Sequence, residues 1–165
     1  MTLFFKDMPS PVGTLKLVAC ADALVAVLWE LEREGRVSLG ELRATAGHSV
    51  LALTEQQLIE YFAGERKDFQ VPLSPRGTPF QLKVWQGLGH IKYGVTQSYG
   101  DLARVIGSGR AARAVGAALG RNPLAIVVPC HRVMGRQGAL TGFAGGLEAK
   151  KFLLGFERRR AFSRD

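Results

Sequence analysis

The chain is organised around one stretch, Ile126-Val127-Val128-Pro129-Cys130-His131-Arg132-Val133. Its β-branched run predicts a buried strand that ends at Pro129, because proline cannot donate to a sheet ladder. A strand end is a rigid place from which Cys130 can face a cleft, and the adjacent His131 and Arg132 favour its thiolate form. A lone cysteine is more often a buried packing residue. Here the proline and the charged neighbours favour a nucleophile.

The composition is that of an ordinary globular protein: 165 residues, of which 47% are hydrophobic and 22% charged. This length can hold one domain or two small ones. No apolar run approaches the ~20 residues of a membrane helix. Residues 1–7 lack the basic and apolar regions of a signal peptide. The sequence therefore predicts a cytoplasmic protein with no membrane association.

Metal-ligating residues are sparse. The chain has two cysteines, Cys20 and Cys130, and three histidines, and no CxxC or HxxxH spacing occurs among them. Such a set supports neither a disulfide framework nor a metal site. We therefore expect no metal and no other cofactor.

Charge is divided unevenly between the two halves. Residues 1–75 hold 7 Lys+Arg and 10 Asp+Glu, a net charge of −3, whereas residues 76–165 hold 15 and 4, a net charge of +11. The half that carries Cys130 therefore has all the excess positive charge. Nucleic acid is the first candidate partner for such a half, and a generally basic protein is the alternative.

The first half is predicted to form a small α/β domain. Three apolar segments predict an antiparallel meander: Leu3–Lys6, Thr14–Cys20 and Leu24–Leu31. A helix is predicted to begin at Thr54 in a capping-box pattern and to end at Gly64. Phe69–Leu73 predicts a last strand, followed by a linker at residues 74–77.

The second half is predicted to contain a helix-turn-helix. Thr78-Pro79 is a typical helix start, with an N-cap residue followed by proline. A second helix is predicted to begin at Ser98, in a capping-box pattern, and to place Val105 on its apolar stripe. After a glycine turn comes a third helix, Arg110–Leu119. Two short helices joined by such a turn are typical of helix-turn-helix motifs.

The third of these helices is rich in alanine and glycine around Arg113. Small residues allow a backbone to approach a partner closely, and a narrow minor groove of DNA would suit this surface better than the major groove. Tight helix–helix packing with an exposed Arg113 explains the composition equally well.

The end of the chain suggests a wing and a final helix. Gly135–Gly138 resembles a hairpin turn with Leu140–Phe143 as its return strand, and Leu147–Arg158 predicts a helix. Glu157 lies at the edge of the apolar stripe of that helix. It is either a solvated charge or a partly buried carboxylate that pairs with His131, which needs such a partner to act as a base.

Three ordered motifs strongly resemble the methylated-DNA–protein-cysteine methyltransferases, the O6-alkylguanine-DNA alkyltransferases: Asn122-Pro123, Val128–Val133 and Gly142–Gly146. The resemblance covers residues 78–160. It implies an α+β fold with a ribonuclease H-like sheet-and-helix domain at residues 1–75 and a winged helix-turn-helix domain at residues 76–165. It further implies that a monomer binds double-stranded DNA through the minor groove and flips out an O6-alkylguanine. The alkyl group would pass irreversibly to Cys130, so that each molecule reacts once.

The resemblance also implies roles for individual residues. Cys130 would accept the alkyl group, His131 would deprotonate it through a bound water, Glu157 would orient His131, and Asn122 would hold the turn before the active site. Arg113 would fill the place of the flipped base. We expect further DNA contacts from Tyr99, Ala112, Ala114, Gly116 and Arg132.

The guanine pocket would be lined by Tyr99, Val133, Phe143 and Ala144. Two of these depart from some family members, because Phe143 replaces a tyrosine and Ala144 a serine. Family members with a structural zinc use N-terminal cysteines and histidines, and only Cys20 and His48 occur there, so the resemblance implies no zinc.

Three other functions compete with alkyl transfer. A sensor of alkylated guanine would bind without repair, but relatives of that kind carry tryptophan at the position of Cys130. A winged-helix regulator explains the charge and leaves Cys130, His131 and Glu157 without a role. A Cys–His–Glu hydrolase leaves the alanine-rich helix unexplained.

Overall fold

A computed structural model describes residues 2–107, 112–135 and 143–161. The chain divides into two compact units. The first contains Met1–Arg76 and Pro123–Val127, and the second contains Gly77–Asn122 and Val128–Asp165. The sequence predicts one continuous C-terminal domain. In the structure, the five residues Pro123–Val127, shortly before Cys130, belong to the first unit. Among the described helices, none combines the length and apolarity needed to cross a membrane.

The first unit contains a four-stranded sheet in the order β3-β2-β1-β4. Its strands are β1 (Leu3–Met8), β2 (Leu15–Ala19), β3 (Leu24–Leu28) and β4 (Leu42–Ala44). The antiparallel pairing of β1, β2 and β3 confirms the predicted meander. Strand β4 pairs parallel to β1 and was not predicted, because three residues with two exposed side chains carry no alternation that a sequence pattern could show.

Helix α1 (Ser49–Phe62) belongs to the first unit. The predicted start at Thr54 is wrong: the helix begins five residues earlier, and Thr54 is fully buried within it. The hydroxyl of Thr54 donates to the carbonyl of Val50 at 2.8 Å, a bond that lets threonine sit inside a helix. The predicted stop is confirmed, since Gly64 has φ +80° and donates to the Tyr61 carbonyl.

The segment Phe69–Leu73 is not a strand, contrary to prediction. Only Leu73 forms a bridge, to Leu24. The backbone of Gln70 bonds instead to the side chain of Gln57, which donates to its carbonyl at 3.1 Å and accepts from its amide at 2.8 Å. A buried side-chain amide thus takes the bonds that a ladder would have used.

The predicted strand Ile126–Val128 is also wrong, although the residues are largely buried. Val27 and Leu124 form an isolated bridge, and the chain then turns, with Ile126 at φ +70° and the Val127 amide donating to Ala125 at 2.7 Å. β-Branched residues fit buried positions in general, so their run reported burial and not the type of element.

The second unit is mainly helical. Its helices are α2 (Pro79–Leu88), α3 (Tyr99–Val105), α4 (Ala112–Gly120) and α5 (Leu147–Ala161), and its two short parallel strands are β5 (Gln97–Ser98) and β6 (Val133–Met134). Thr78 forms the predicted N-cap of α2 in a capping box with Gln81. Ser98 caps α3 by accepting from the Asp101 amide at 3.0 Å. Both helix starts are confirmed, and α3 with α4 provides the two helices of the predicted helix-turn-helix.

The predicted position of Val105 on the apolar stripe of α3 is wrong. Val105 does not face the core but is 59% exposed, and Leu102 and Ile106 supply the buried stripe. The predicted hairpin of the wing falls largely on residues 136–142, which lie outside the described residues. Strand β6 leads into that segment.

Candidate active site

Cys130 opens a single turn of 3-10 helix, Cys130–Arg132, directly after Pro129. The turn is closed by backbone bonds from Cys130 to the Val128 carbonyl at 2.8 Å and from Arg132 to the Pro129 carbonyl at 3.0 Å. Cys130 is partly exposed, whereas the two residues after it are buried. Cys130 therefore sits on a tight turn and not at a strand end, and the residue remains partly exposed.

His131 and Glu157 form a buried pair. His131 Nε2 lies 2.8 Å from Glu157 Oε2, and the two residues are 0% and 1% exposed. Burial lowers the pKa of His131, although the hydrogen bond and charge of Glu157 oppose this effect. The ring is therefore neutral near pH 7, with its proton on Nε2 towards the carboxylate. The other nitrogen, Nδ1, is buried and has no hydrogen-bond partner in the described part of the chain.

Arg132 is also buried, and its prediction as a DNA contact is wrong. Its Nε donates to Glu157 Oε1 at 2.8 Å, one terminal nitrogen donates to Oε2 at 3.0 Å, and the other donates to the Ile91 carbonyl at 2.6 Å. At 5% exposure its guanidinium faces these partners inside the unit. The planar fork matches a carboxylate in two places at once, which lysine could not do.

Glu157 is held as an anion by this arrangement. Burial alone would raise the pKa of Glu157, but the hydrogen bond from His131 and the guanidinium of Arg132 outweigh burial and lower the pKa to about 2. The carboxylate is thus ionised at every pH at which the protein would work. It provides a fixed negative charge behind the imidazole.

Asn122 is the last residue before the chain leaves the second unit, and its side chain bonds to Val128, where the chain returns. The side chain is 2% exposed, and its Nδ2 donates to the Val128 carbonyl at 2.9 Å. Helix α4 ends two residues before Asn122, and Cys130 follows two residues after Val128. This geometry fits the predicted function of holding the turn before the active site.

Lys150 was missed by the sequence analysis. It is 1% exposed, and its ammonium donates to the Val133 carbonyl at 2.7 Å. A signal was present, because Lys150, Leu153 and Glu157 follow the i, i+3, i+7 spacing of one helix face. A lysine within an apolar stripe marks a buried cation when a carboxylate on the same face is also buried.

Two of the predicted pocket residues, Tyr99 and Val133, lie on adjacent elements. Strand β5 pairs with β6, so Tyr99, the residue after β5, lies next to the strand that begins at Val133. Val133 is buried, Tyr99 and Phe143 are half-buried, and Ala144 is exposed. The Lys150 ammonium lies 5.8 Å from the centre of the Phe143 ring.

Helix α4 buries one face, and several of its small residues lie on the exposed face. Its buried side chains are those of Val115, Ala118 and Leu119, whereas Ala112, Arg113 and Ala114 are exposed. A Cβ added at Gly116 would meet nothing within 4 Å. Packing within the described residues therefore does not require glycine there, which weakens tight helix packing as the explanation for the small residues on this face.

Metal ligands do not converge here. In the ranges that the structure describes, no three His, Cys, Asp or Glu side chains are arranged to hold a metal ion.

Comparison with known protein families matches both halves of the chain. Residues 3–75 match the ribonuclease-like domain of 6-O-methylguanine DNA methyltransferase, and residues 79–159 match the DNA-binding domain of the same family.

Individual relatives are similar over nearly their whole length. The constitutive methylated-DNA–protein-cysteine methyltransferase of Bacillus subtilis is 47% identical over 94% of this chain and 95% of its own length. The methylated-DNA–protein-cysteine methyltransferase of Mycolicibacterium paratuberculosis is 45% identical over 95% and 93%. The crystal structure of Mycobacterium tuberculosis OGT in complex with DNA superposes with a TM-score of 0.88 at 42% identity, covering 95% of this chain and 94% of that one. The chain therefore belongs to the methylated-DNA–protein-cysteine methyltransferase family.

Proposed function

We propose that this protein repairs DNA by moving the alkyl group of O6-alkylguanine onto its own Cys130, in a reaction that each molecule performs once. The observation that carries the proposal is a partly exposed Cys130, followed in the chain by a buried, neutral His131 that the Glu157 carboxylate holds at 2.8 Å. The family relationship supports the same activity, since the matched relatives are methyltransferases that act on methylated DNA.

The chemistry is displacement at a saturated carbon. The Cys130 thiolate forms a bond to the alkyl carbon, the bond from that carbon to O6 breaks, and its electron pair leaves with the guanine. A thiolate suits this carbon because it is soft and strongly nucleophilic. The proton that leaves the thiol balances the N1–H that the restored guanine regains. The product is a thioether that water does not hydrolyse, and the protein is consumed.

His131 acts as the base in this proposal. A neutral imidazole whose Nε2–H points at Glu157 leaves Nδ1 with a free electron pair, so Nδ1 receives the thiol proton through a bound water. The Glu157 anion keeps the ring in this tautomer and stabilises the imidazolium that forms. Arg132 contributes by fixing both oxygens of Glu157.

The guanine pocket would lie between β6 and the segment that begins at Phe143. Tyr99 would support the flipped nucleotide, and Val133 would offer its backbone to the base. Phe143 provides an apolar wall without a hydroxyl, and Ala144 offers only its backbone. Donors to N3 or O6 would stabilise the charge that develops on the leaving guanine.

DNA is the proposed macromolecular partner. The target carbon cannot be reached inside a stacked duplex, and extruding the nucleotide costs a few kcal/mol. Phosphate contacts of the +11 half offset that cost, and Arg113 fills the gap that the base leaves. The exposed Ala112 and Ala114 and the half-buried Gly116 allow α4 to approach the minor groove closely.

The remaining expectations belong to the same proposal. All side chains of the proposed reaction come from one chain, so we propose a monomer. We propose a cytoplasmic location, where Cys130 stays reduced. We also propose that residues 1–75 and 76–165 act as the ribonuclease H-like domain and the DNA-binding domain, with no metal or other cofactor in the reaction.

Mass spectrometry of the intact protein tests the proposal. The protein is incubated with duplex DNA that contains one O6-methylguanine, and the expected result is the gain of one methyl group, mapped to Cys130. The control is Cys130→Ala, which keeps DNA binding and gains nothing. A methyl group on any other residue, or binding of the damaged duplex without transfer, would contradict the proposal.

A further inference from the structure

Lys150 is a buried cation that lacks a carboxylate partner within the described ranges. It is 1% exposed, and the hydrogen bond that holds its ammonium is to the backbone carbonyl of Val133. Ammonium groups are rarely buried without a neutralising charge. A negative charge nearby would stabilise the ammonium in this position.

The carboxylate of the site is already balanced. Glu157 is bound at both oxygens by Arg132, whose positive charge offsets it. His131 is neutral because burial lowers its pKa. The nearby Tyr93 phenol is neutral as well, because burial and the Glu157 charge raise its pKa. Among the described residues of this cluster, the charges of Arg132 and Glu157 offset each other, and the Lys150 ammonium adds a further positive charge.

The thiolate form of Cys130 can balance the positive charge of Lys150. Burial lowers the pKa of Lys150, and the negative charge of the Cys130 thiolate acts in the opposite direction. An attraction between two charges is mutual, so the ammonium that gains from the thiolate also stabilises it. Val133 links the two groups, since its amide donates to the Cys130 carbonyl and its own carbonyl accepts from Lys150.

We propose that Lys150 is a positioning residue for the proposed alkyl transfer, whose buried ammonium neutralises the Cys130 thiolate and whose hydrogen bond fixes the Val133 carbonyl beside it. The inference rests on the proposed function for its purpose. His131 then moves the proton, whereas Lys150 supplies the charge that makes the thiolate persist. Loss of the ammonium leaves the relay of His131 and Glu157 in place but shifts the thiol towards its protonated form.

The test is the pH dependence of Cys130 alkylation by iodoacetamide in the protein without DNA, with the modified residue identified by peptide mapping. In Lys150→Met the midpoint of the rate profile moves to higher pH, with about a tenfold loss of rate below the midpoint for each unit of the move. Lys150→Arg keeps the positive charge and stays within about threefold of the wild type at the same pH. The matched control is Lys151→Met, which removes an exposed charge from the next position of α5 and leaves the profile unchanged.

Coincident profiles for Lys150→Met and Lys151→Met would overturn the inference. A second measurement covers a variant that does not fold: the pKa of Lys150 is followed by NMR in wild-type protein before and after Cys130 is alkylated. Alkylation removes the thiolate, so this pKa falls, and an unchanged value would also overturn the inference. Neither measurement needs DNA, so a failure to repair O6-methylguanine would contradict the proposed function and leave these results unaffected.

Discussion

Arg132 binds both carboxylate oxygens of Glu157 inside the second unit, through Nε at 2.8 Å and a terminal nitrogen at 3.0 Å. The residue directly after the histidine thus fixes the same carboxylate that the histidine contacts. Glu157 therefore contacts two neighbouring residues, and the position of the carboxylate that contacts His131 depends on the Arg132 guanidinium.

Removing that guanidinium should destabilise the protein strongly. Arg132→Met leaves a buried carboxylate without its cation, which typically costs about 3–5 kcal/mol. Urea unfolding at pH 7 measures the loss. The control is Arg104→Met, which breaks the exposed pair with Asp101 and should cost no more than about 1 kcal/mol. The double variant Arg132→Met/Glu157→Gln should recover part of the loss, and equal costs for the two single arginine variants would refute the account.

Glu157 should make the protein sensitive to acid. Its pKa is about 2 in the folded state and close to the ordinary value of 4.5 in the unfolded chain. Because the folded pKa is the lower one, this stabilisation is complete above about pH 4.5 and is lost as the pH falls towards 2. The amount lost is on the order of 3 kcal/mol. Urea unfolding from pH 7 to pH 3 should show about 2 kcal/mol of this loss, and in Glu157→Gln this dependence should be absent. An equally steep acid dependence in the variant would assign it to other groups.

The sequence pattern identified candidate site residues more readily than the elements that hold them. Cys130 and His131 are adjacent in the chain, and helical spacing placed Glu157 at the edge of an apolar stripe without deciding whether it is solvated or buried. The structure shows it buried against His131. The helix starts at Thr78 and Ser98 were predicted for a similar reason, since a cap is determined by a few local residues.

The errors arose where tertiary contacts determine the type of element or the burial of a side chain. The apolar run Ile126–Val128 signals burial, but a turn buries it as well as a strand does. Arg132 reads as a DNA contact in a basic half, and only the position of Glu157 shows why it is buried. Lys150 was overlooked because a lysine is ordinarily exposed, and its partner is a backbone carbonyl that no side-chain pattern reveals.

A substitution at Gly116 should change stability and DNA binding in opposite directions. Alanine is favoured over glycine inside a helix by about 1 kcal/mol, and a Cβ at Gly116 meets no neighbouring atom. Gly116→Ala should therefore stabilise the free protein by up to about 1 kcal/mol. It should weaken binding to duplex DNA, because the added methyl group stands on the face that we propose approaches the groove. Thermal unfolding and fluorescence anisotropy measure the two effects.

Gly155→Ala is the matched control for Gly116→Ala. Gly155 lies in α5, and its added Cβ would approach only the movable end of the Arg159 side chain, at 3.4 Å. This variant should keep the affinity of the wild type for DNA. Unchanged DNA affinity in Gly116→Ala would remove α4 from the proposed interface.

Asn122→Ala should impair alkyl transfer beyond its effect on stability. The substitution leaves the buried Val128 carbonyl without the Asn122 amide, at a cost of about 1–3 kcal/mol. It also frees the segment whose end carries Cys130, so faster amide hydrogen exchange is expected at residues 128–133. Gln57→Ala is the control, because it removes another buried amide, in the first unit, that bonds to the backbone of Gln70. Both variants should lose stability, and only Asn122→Ala should slow methyl transfer from O6-methylguanine DNA under conditions where both remain folded. Equal transfer rates would mean that the amide of Asn122 stabilises the fold without positioning the nucleophile.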